Sequence, residues 1–194
     1  MLLAFLPLFC CSPKNNRSPI DELQFNVDRT LIEEPYTEST IGISFCPPLH
    51  WKPVSAKILA QIESIQKEAT PDSSDDFQLT PSQVFVDTND NAFCFLSQLG
   101  ANDTQNLDEI ANRYKKALKK KYSNGDFKEG IFRLKGFFIN QFIITENGLV
   151  ILKLLISSPS TTPFLLDYII PLSVYEKNLK AIESSIGSIE KLKN

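Results

Sequence analysis

Cys46 and His50 bring a thiol and an imidazole within four residues, the types that nucleophilic catalysis by cysteine needs. His50 is the chain's single histidine. Pro47-Pro48 lies between them and favours an extended path. At polyproline spacing the two Cα atoms stand about 12 Å apart, too far for a dyad without a sharp turn. No third group is available to orient the ring, so no catalytic residues are expected and His50 reads as a surface or packing residue beside Trp51. The four cysteines are Cys10, Cys11, Cys46 and Cys94, with no C-x-x-C pair. Cys46 and Cys94 sit among apolar neighbours in predicted strands. In an oxidising compartment they form a disulfide if their Cα atoms come within ~4.4–6.8 Å; otherwise they are two buried free thiols. Asp87-Thr88-Asn89-Asp90-Asn91 echoes the start of a calcium-binding loop. Ala92 stands where that loop needs Gly, however, and Gln98 where it needs a bidentate Glu, so a polar hairpin turn is expected. Asp72, Asp75 and Asp76 read as a solvated loop. Neither a metal site nor a cofactor is expected. Lys115, Lys116, Lys119, Lys120 and Lys121 suit an anionic lipid surface, or simply the C-terminal end of a helix dipole.

Cys11 carries a different chemistry. The first eleven residues, MLLAFLPLFCC, are apolar and end at a double cysteine. Cleavage before Cys11 places Leu8 at −3 and Cys10 at −1, a lipoprotein signal with Cys11 as the lipidated residue. The alternative is an apolar N-terminal segment or first strand. Eleven residues fall short of the roughly 20 that span a bilayer, and Lys153 interrupts the best later run. Residues 1–11 therefore read as a signal peptide, 12–39 as a flexible tether and 40–194 as the folded domain. A diacyl or triacyl group anchors firmly because each buried CH₂ contributes roughly 0.8 kcal/mol.

The elements that position these residues follow from periodicity. With 194 residues the chain can bury one sizeable core. Its net charge of −3 argues against nucleic acid as the main partner. Phe137–Thr145 and Leu149–Ser157 are aromatic and β-branched, joined by Glu146-Asn147-Gly148, a strong hairpin signal. Both runs are apolar on both faces, so helices are expected above and below the sheet. Ile41–Cys46, Gln83–Val86, Phe93–Leu99 and the Asp167-Tyr168 segment complete about six strands, with Gly136 a bulge or kink. Glu22–Glu34 reads as an edge strand or part of the tether. Three helices are predicted. The first is capped by Ser55, with Ile58, Ile62 and Ile65 on one face. The second starts at Asn106 with Glu109 in a capping box and Leu107, Ile110, Ala111, Tyr114, Leu118 and Tyr122 as its stripe. The third has Ser173 and Glu176 as a capping box and Tyr175, Leu179, Ile182, Ile186 and Ile189 at helical spacing. The fold class is α+β: an antiparallel sheet sandwiched between helices.

Phe45-Cys46-Pro47-Pro48-Leu49-His50-Trp51 resembles the strand, proline, turn and tryptophan opening of PsbP-like and DcrB-type domains, with His50 where those usually have Gly. Lys135-Gly136 within the strand meander is similar too. So is the ending: Asp167-Tyr168, a proline, then a helix carrying Ile182-Glu183-Ser184-Ser185-Ile186. The resemblance covers roughly Ile41 to Leu192. It implies an α/β/α domain, a non-enzymatic subunit that docks on larger assemblies and, on the DcrB side, an envelope lipoprotein. It transfers no catalytic residue. The expectation is a non-enzymatic protein of the bacterial cell envelope, lipid-anchored and facing the periplasm or exterior, that binds an unidentified envelope protein. The alternative, motivated by fourteen phenylalanines, is a carrier of a small apolar ligand or lipid between sheet and helix.

Overall fold

The computed structural model describes residues 20, 22–69, 79–100 and 107–192; Cys10, Cys11, Asp72, Asp75 and Asp76 lie outside them. The first half forms β1 (Tyr36–Glu38), β2 (Ile43–Phe45), β3 (Lys52–Pro53), α1 (Ala56–Ala69), β4 (Leu79–Asp87) and β5 (Ala92–Leu99). The second half forms α2 (Leu107–Lys121), β6 (Asp126–Leu134), β7 (Phe137–Glu146), β8 (Leu149–Ser158), β9 (Thr161–Pro171), α3 (Leu172–Gly187) and β10 (Glu190–Lys191). Seven strands make one antiparallel sheet in the order β3-β4-β5-β9-β8-β7-β6, and β1-β2-β10 make a small second sheet. The class is α+β, with ten strands among the described residues where the sequence suggests about six.

The β7–β8 hairpin forms as its Asn-Gly step dictates. Asn147 and Gly148 have φ of 52° and 76°, two successive left-handed residues whose twist matches the strands they join. Lys135 and Gly136 repeat that geometry at 48° and 77°, so Gly136 closes a β6–β7 hairpin and is not the expected bulge. A lysine in place of Asn hides that turn from a sequence scan.

Both faces of the sheet are covered, as the two-sided apolar strands require. One face buries Ile139, Leu154, Phe164 and Tyr168 against Trp51, the small sheet and the Ile182–Ile186 side of α3. The opposite face buries Phe142, Ile144, Ile151, Leu155 and Leu165 against Ile110, Tyr114 and Leu118 of α2. α2 leaves the sheet after β5 and re-enters at the far edge strand β6, so it crosses that face past three intervening strands. α1 lies apart, against β4. Its expected stripe is only partly used: Ile58 is 46% exposed.

α3 begins differently from the capping box expected at Ser173. Pro171 occupies the N-cap with no side-chain bond, and Ser173 lies inside the first turn. The Leu172 N–H instead donates to the Gly148 carbonyl at 2.8 Å, so a neighbouring hairpin turn satisfies the helix end. At the other end Ser184 and Ser188 accept from the backbone N–H groups of Asp28 and Cys46, at 3.1 and 2.8 Å. Segment 22–28 runs close over this end. A Cβ built on Gly187 would stand 2.5 Å from Phe25 Cβ, so only glycine permits the approach. Leu23 N–H donates to the Arg133 carbonyl, and the Phe25 and Phe132 rings lie 6.0 Å apart. Residues from Glu22 onward, read as an edge strand or part of the tether, pack on the domain, with Glu22 bridging to Arg133. Residues 12–19 lie outside the described residues.

Candidate functional site

The Cys46 and His50 side chains occupy different environments. Cys46 is buried just beyond β2, its Sγ 3.5 Å from Arg29 Nη1. His50 is exposed in a turn closed by Trp51 N–H donating to the Pro48 carbonyl, and its own N–H donates to Glu33 at 2.7 Å. The chain turns after the prolines to bury Trp51, and this leaves the imidazole in solvent, without a thiol to activate. His50 has φ 71°, a left-handed conformation that costs a non-glycine residue. His50→Gly should therefore raise stability by about 0.5–1 kcal/mol, read from the urea midpoint. A lower midpoint would mean that the imidazole makes contacts worth more than the strain.

Of the two alternatives for Cys46 and Cys94, the structure has the pair of free thiols, both buried. Cys94 faces Tyr168 across the β5–β9 ladder, whereas Cys46 meets Arg29. The Ser185 hydroxyl must donate to the Cys46 carbonyl, at 2.6 Å, because a carbonyl can only accept. Ser185 then accepts from the Tyr168 hydroxyl at 2.9 Å. One directed chain thus runs from the Tyr168 hydroxyl through Ser185 to the backbone of Cys46. Burial, and secondarily the Asp167 charge, holds the Cys94 pKa well above the usual thiol value. The thiol stays protonated and unreactive.

Asp87–Asn91 is the polar hairpin turn that its sequence suggests. The Asp87 carboxylate accepts from Asn89 N–H at 2.9 Å, and Asp90 is taken by Lys177 and Asn178 of α3. Among the described residues no group of three His, Cys, Asp or Glu side chains could hold a metal.

Two polar features lie on the α2 face of the sheet. The first is Lys153 of β8 paired directly with Asp167 of β9, their side chains 12% and 11% exposed. Tyr114 of α2 lies beside them, its ring 5.9 Å from that of Phe142, which faces Lys153 across the β7–β8 ladder. Burial by itself would lower the Lys153 pKa; the Asp167 carboxylate, helped by Tyr114, reverses this and holds it above the usual value. Burial, and then the Asp167 charge, raises Tyr114. An ammonium kept charged is no nucleophile, so this group ties α2 to the sheet rather than reacting.

The second feature is a cleft of about 400 Å³ between α2 and β6–β7. Phe142 and Asn140 form its floor, 3% and 9% exposed, with Ala111 and Asn112 of α2 on one wall and Ile131, 56% exposed, at the lip. Lys115 Nζ spans its mouth to Glu129 Oε1 at 2.6 Å. The opening lies where α2 leaves the β6–β7 side partly uncovered. It can hold a small molecule by apolar contact with one or two hydrogen bonds.

No family model and no curated protein matches the chain. Among solved structures, it is similar to the solution structure of cyanobacterial PsbP from Synechocystis sp. PCC 6803, at 14% identity and a TM-score of 0.47, over 86% of this chain and 95% of that one. The likeness is one of outline and transfers no residue's role.

Asn140 and the Lys153–Asp167 pair did not emerge as a site from the sequence. Their signal is a polar residue inside an otherwise apolar strand: Asn140-Gln141 within FFINQFIIT, Lys153 within LVILKLLIS and Asp167 within PFLLDYIIP. Only register puts Lys153 opposite Asp167. Cys11 lies outside the described residues, and among these no helix is long and apolar enough to cross a membrane.

Proposed function

We propose that the protein is a non-enzymatic, lipid-anchored component of the bacterial cell envelope, of DcrB type, that binds another envelope protein. The observation that carries this reading is Cys11 at the end of an apolar leader, with Leu8 at −3. The fold agrees with a binding role. Apart from the α2–β6–β7 cleft, both broad faces of the sheet are covered by the chain's own elements, so a protein partner would be met through edges and loops. The anchor is tested by feeding labelled palmitate: label should enter the parent protein and be lost in Cys11→Ala, and the parent should partition into the membrane fraction. Absence of label, or its persistence in the variant, overturns the anchor. Crosslinking in the intact envelope should then recover one partner from the parent and much less from Cys11→Ala.

A second reading, a carrier of a small apolar ligand between sheet and helix, is favoured by one specific observation. The α2–β6–β7 cleft has a Phe142 floor, an Ile131 lip and a volume within the ~300–1,000 Å³ range of small-molecule sites.

A further inference from the structure

We infer that the outward face of α2 is a docking surface for a bilayer with anionic headgroups, with Lys116 and Lys120 at its centre. The inference deepens the anchor reading by naming the face turned to the membrane, and it rests on that reading.

Charge is segregated along this chain. α2 carries one arginine and five lysines against Asp108 and Glu109, a net +4 in fifteen residues. The whole chain is −3, so everything outside α2 carries −7. Tyr114 and Leu118 turn inward to the sheet. Lys116 and Lys120 each follow one of them by two residues, about 200° around the helix, and are exposed. Among the described residues Lys116, Lys119 and Lys120 form no ion pair, whereas Lys115 meets Glu129 and Lys128 meets Asp126. Lys116 stands three and four residues before Lys119 and Lys120, spacings at which like charges repel and lower helix stability. The helix dipole offsets this only in the last turn, which holds Lys119, Lys120 and Lys121 but neither Lys115 nor Lys116. A local rule broken without a partner inside the chain points to a partner outside it.

Apolar groups beside these lysines favour a membrane over an acidic protein. Lys119 Nζ lies over the Phe127 ring at 5.1 Å and Lys121 Nζ over Tyr122 at 5.5 Å, so two of the ammonium groups rest on half-buried aromatics. Alternation along edge strand β6 puts Ile131 on the same side as Phe127, which packs against the α2 layer. At 56% exposure Ile131 is the barest large hydrophobic side chain among the described residues. Unpaired cations above aromatic rings, next to a bare isoleucine, match headgroup phosphates lying over an acyl phase. An acidic protein surface answers the charge but has no need of the isoleucine.

Flotation of the full chain with vesicles tests the face. Binding to mixed phosphatidylglycerol and phosphatidylcholine vesicles should exceed binding to phosphatidylcholine alone, and the excess should shrink as salt is added. The leader has no charged side chain, so the comparison between the two vesicle types reads charge. Each lysine at an anionic surface contributes about fivefold, so Lys116→Gln with Lys120→Gln should lose roughly 30-fold in binding to the anionic vesicles. Lys177→Gln with Lys180→Gln on α3, over the opposite face of the sheet, removes the same charge and should lose less than about threefold. Ile131→Ser should lose about fivefold, and it and the α2 variant should melt with the parent because they change exposed side chains. No preference for anionic vesicles, or equal losses in the two lysine variants, overturns the face, while palmitate labelling decides the anchor separately. Unchanged binding by Ile131→Ser overturns the bilayer as occupant and gives the patch to an acidic protein.

Discussion

Lys153→Met should lower stability by about 3–5 kcal/mol, the largest single effect expected in this domain. The substitution keeps the volume and apolar stem but removes the positive charge beside Asp167. The Asp167 carboxylate would then be left at 8% exposure with no counter-charge, and its Oδ1 already lacks a hydrogen-bond partner. Taking one member from a buried pair costs far more than the pair is worth, because the survivor stays desolvated. The paired change Lys153→Met with Asp167→Leu should recover most of the loss, since two apolar side chains of similar size suit the α2 face. Urea unfolding of the parent, both single variants and the double variant closes the cycle. Additive losses in the double variant would mean that the two groups are not coupled and that the pair does not join β8, β9 and α2.

Ile182→Ala should cost about 2–5 kcal/mol. Ile182 is fully buried where α3 meets the main sheet, in the same cluster as Trp51, Tyr168 and Leu154. Truncation removes three methyl or methylene groups and leaves a cavity that two layers of regular structure cannot collapse to fill. For a chain of this length the loss corresponds to a fall in Tm of roughly 4–20 °C. Ile58→Ala on α1 is the control. Its side chain is 46% exposed, so the change should stay within about 0.5 kcal/mol. Equal shifts for the two variants would mean that α3 is not docked more firmly than α1.

Ile182 was visible in the sequence as part of a helical stripe, and most of the core is of this kind. The same holds for Ile110, Tyr114 and Leu118 on α2 and for Phe142, Ile144 and Ile151 in the central hairpin. Hydrophobic spacing is a local property, and a strand apolar on both sides demands cover on both sides wherever the cover comes from. Asn147-Gly148 was legible for the same reason: the φ values of a two-residue turn are dictated by the residues in it. The α3 start shows where this ends. Ser173 with Glu176 has the spacing of a capping box, but the acceptor for Leu172 comes from Gly148, 24 residues earlier in the chain.

Composition and spacing alone thus determined that this chain makes an antiparallel sheet buried between layers, that Cys46 and His50 are no dyad, and that Cys11 is the position to test for a lipid. Tertiary structure decided the rest. Register put Lys153 opposite Asp167, and the placement of α2 over the sheet left a cleft lined by Asn140. The approach of segment 22–28 turned Ser184 and Ser188 into buried acceptors and made Gly187 obligatory. Each of these is a contact between residues far apart in sequence, and single-chain periodicity carries information about faces but none about which faces meet.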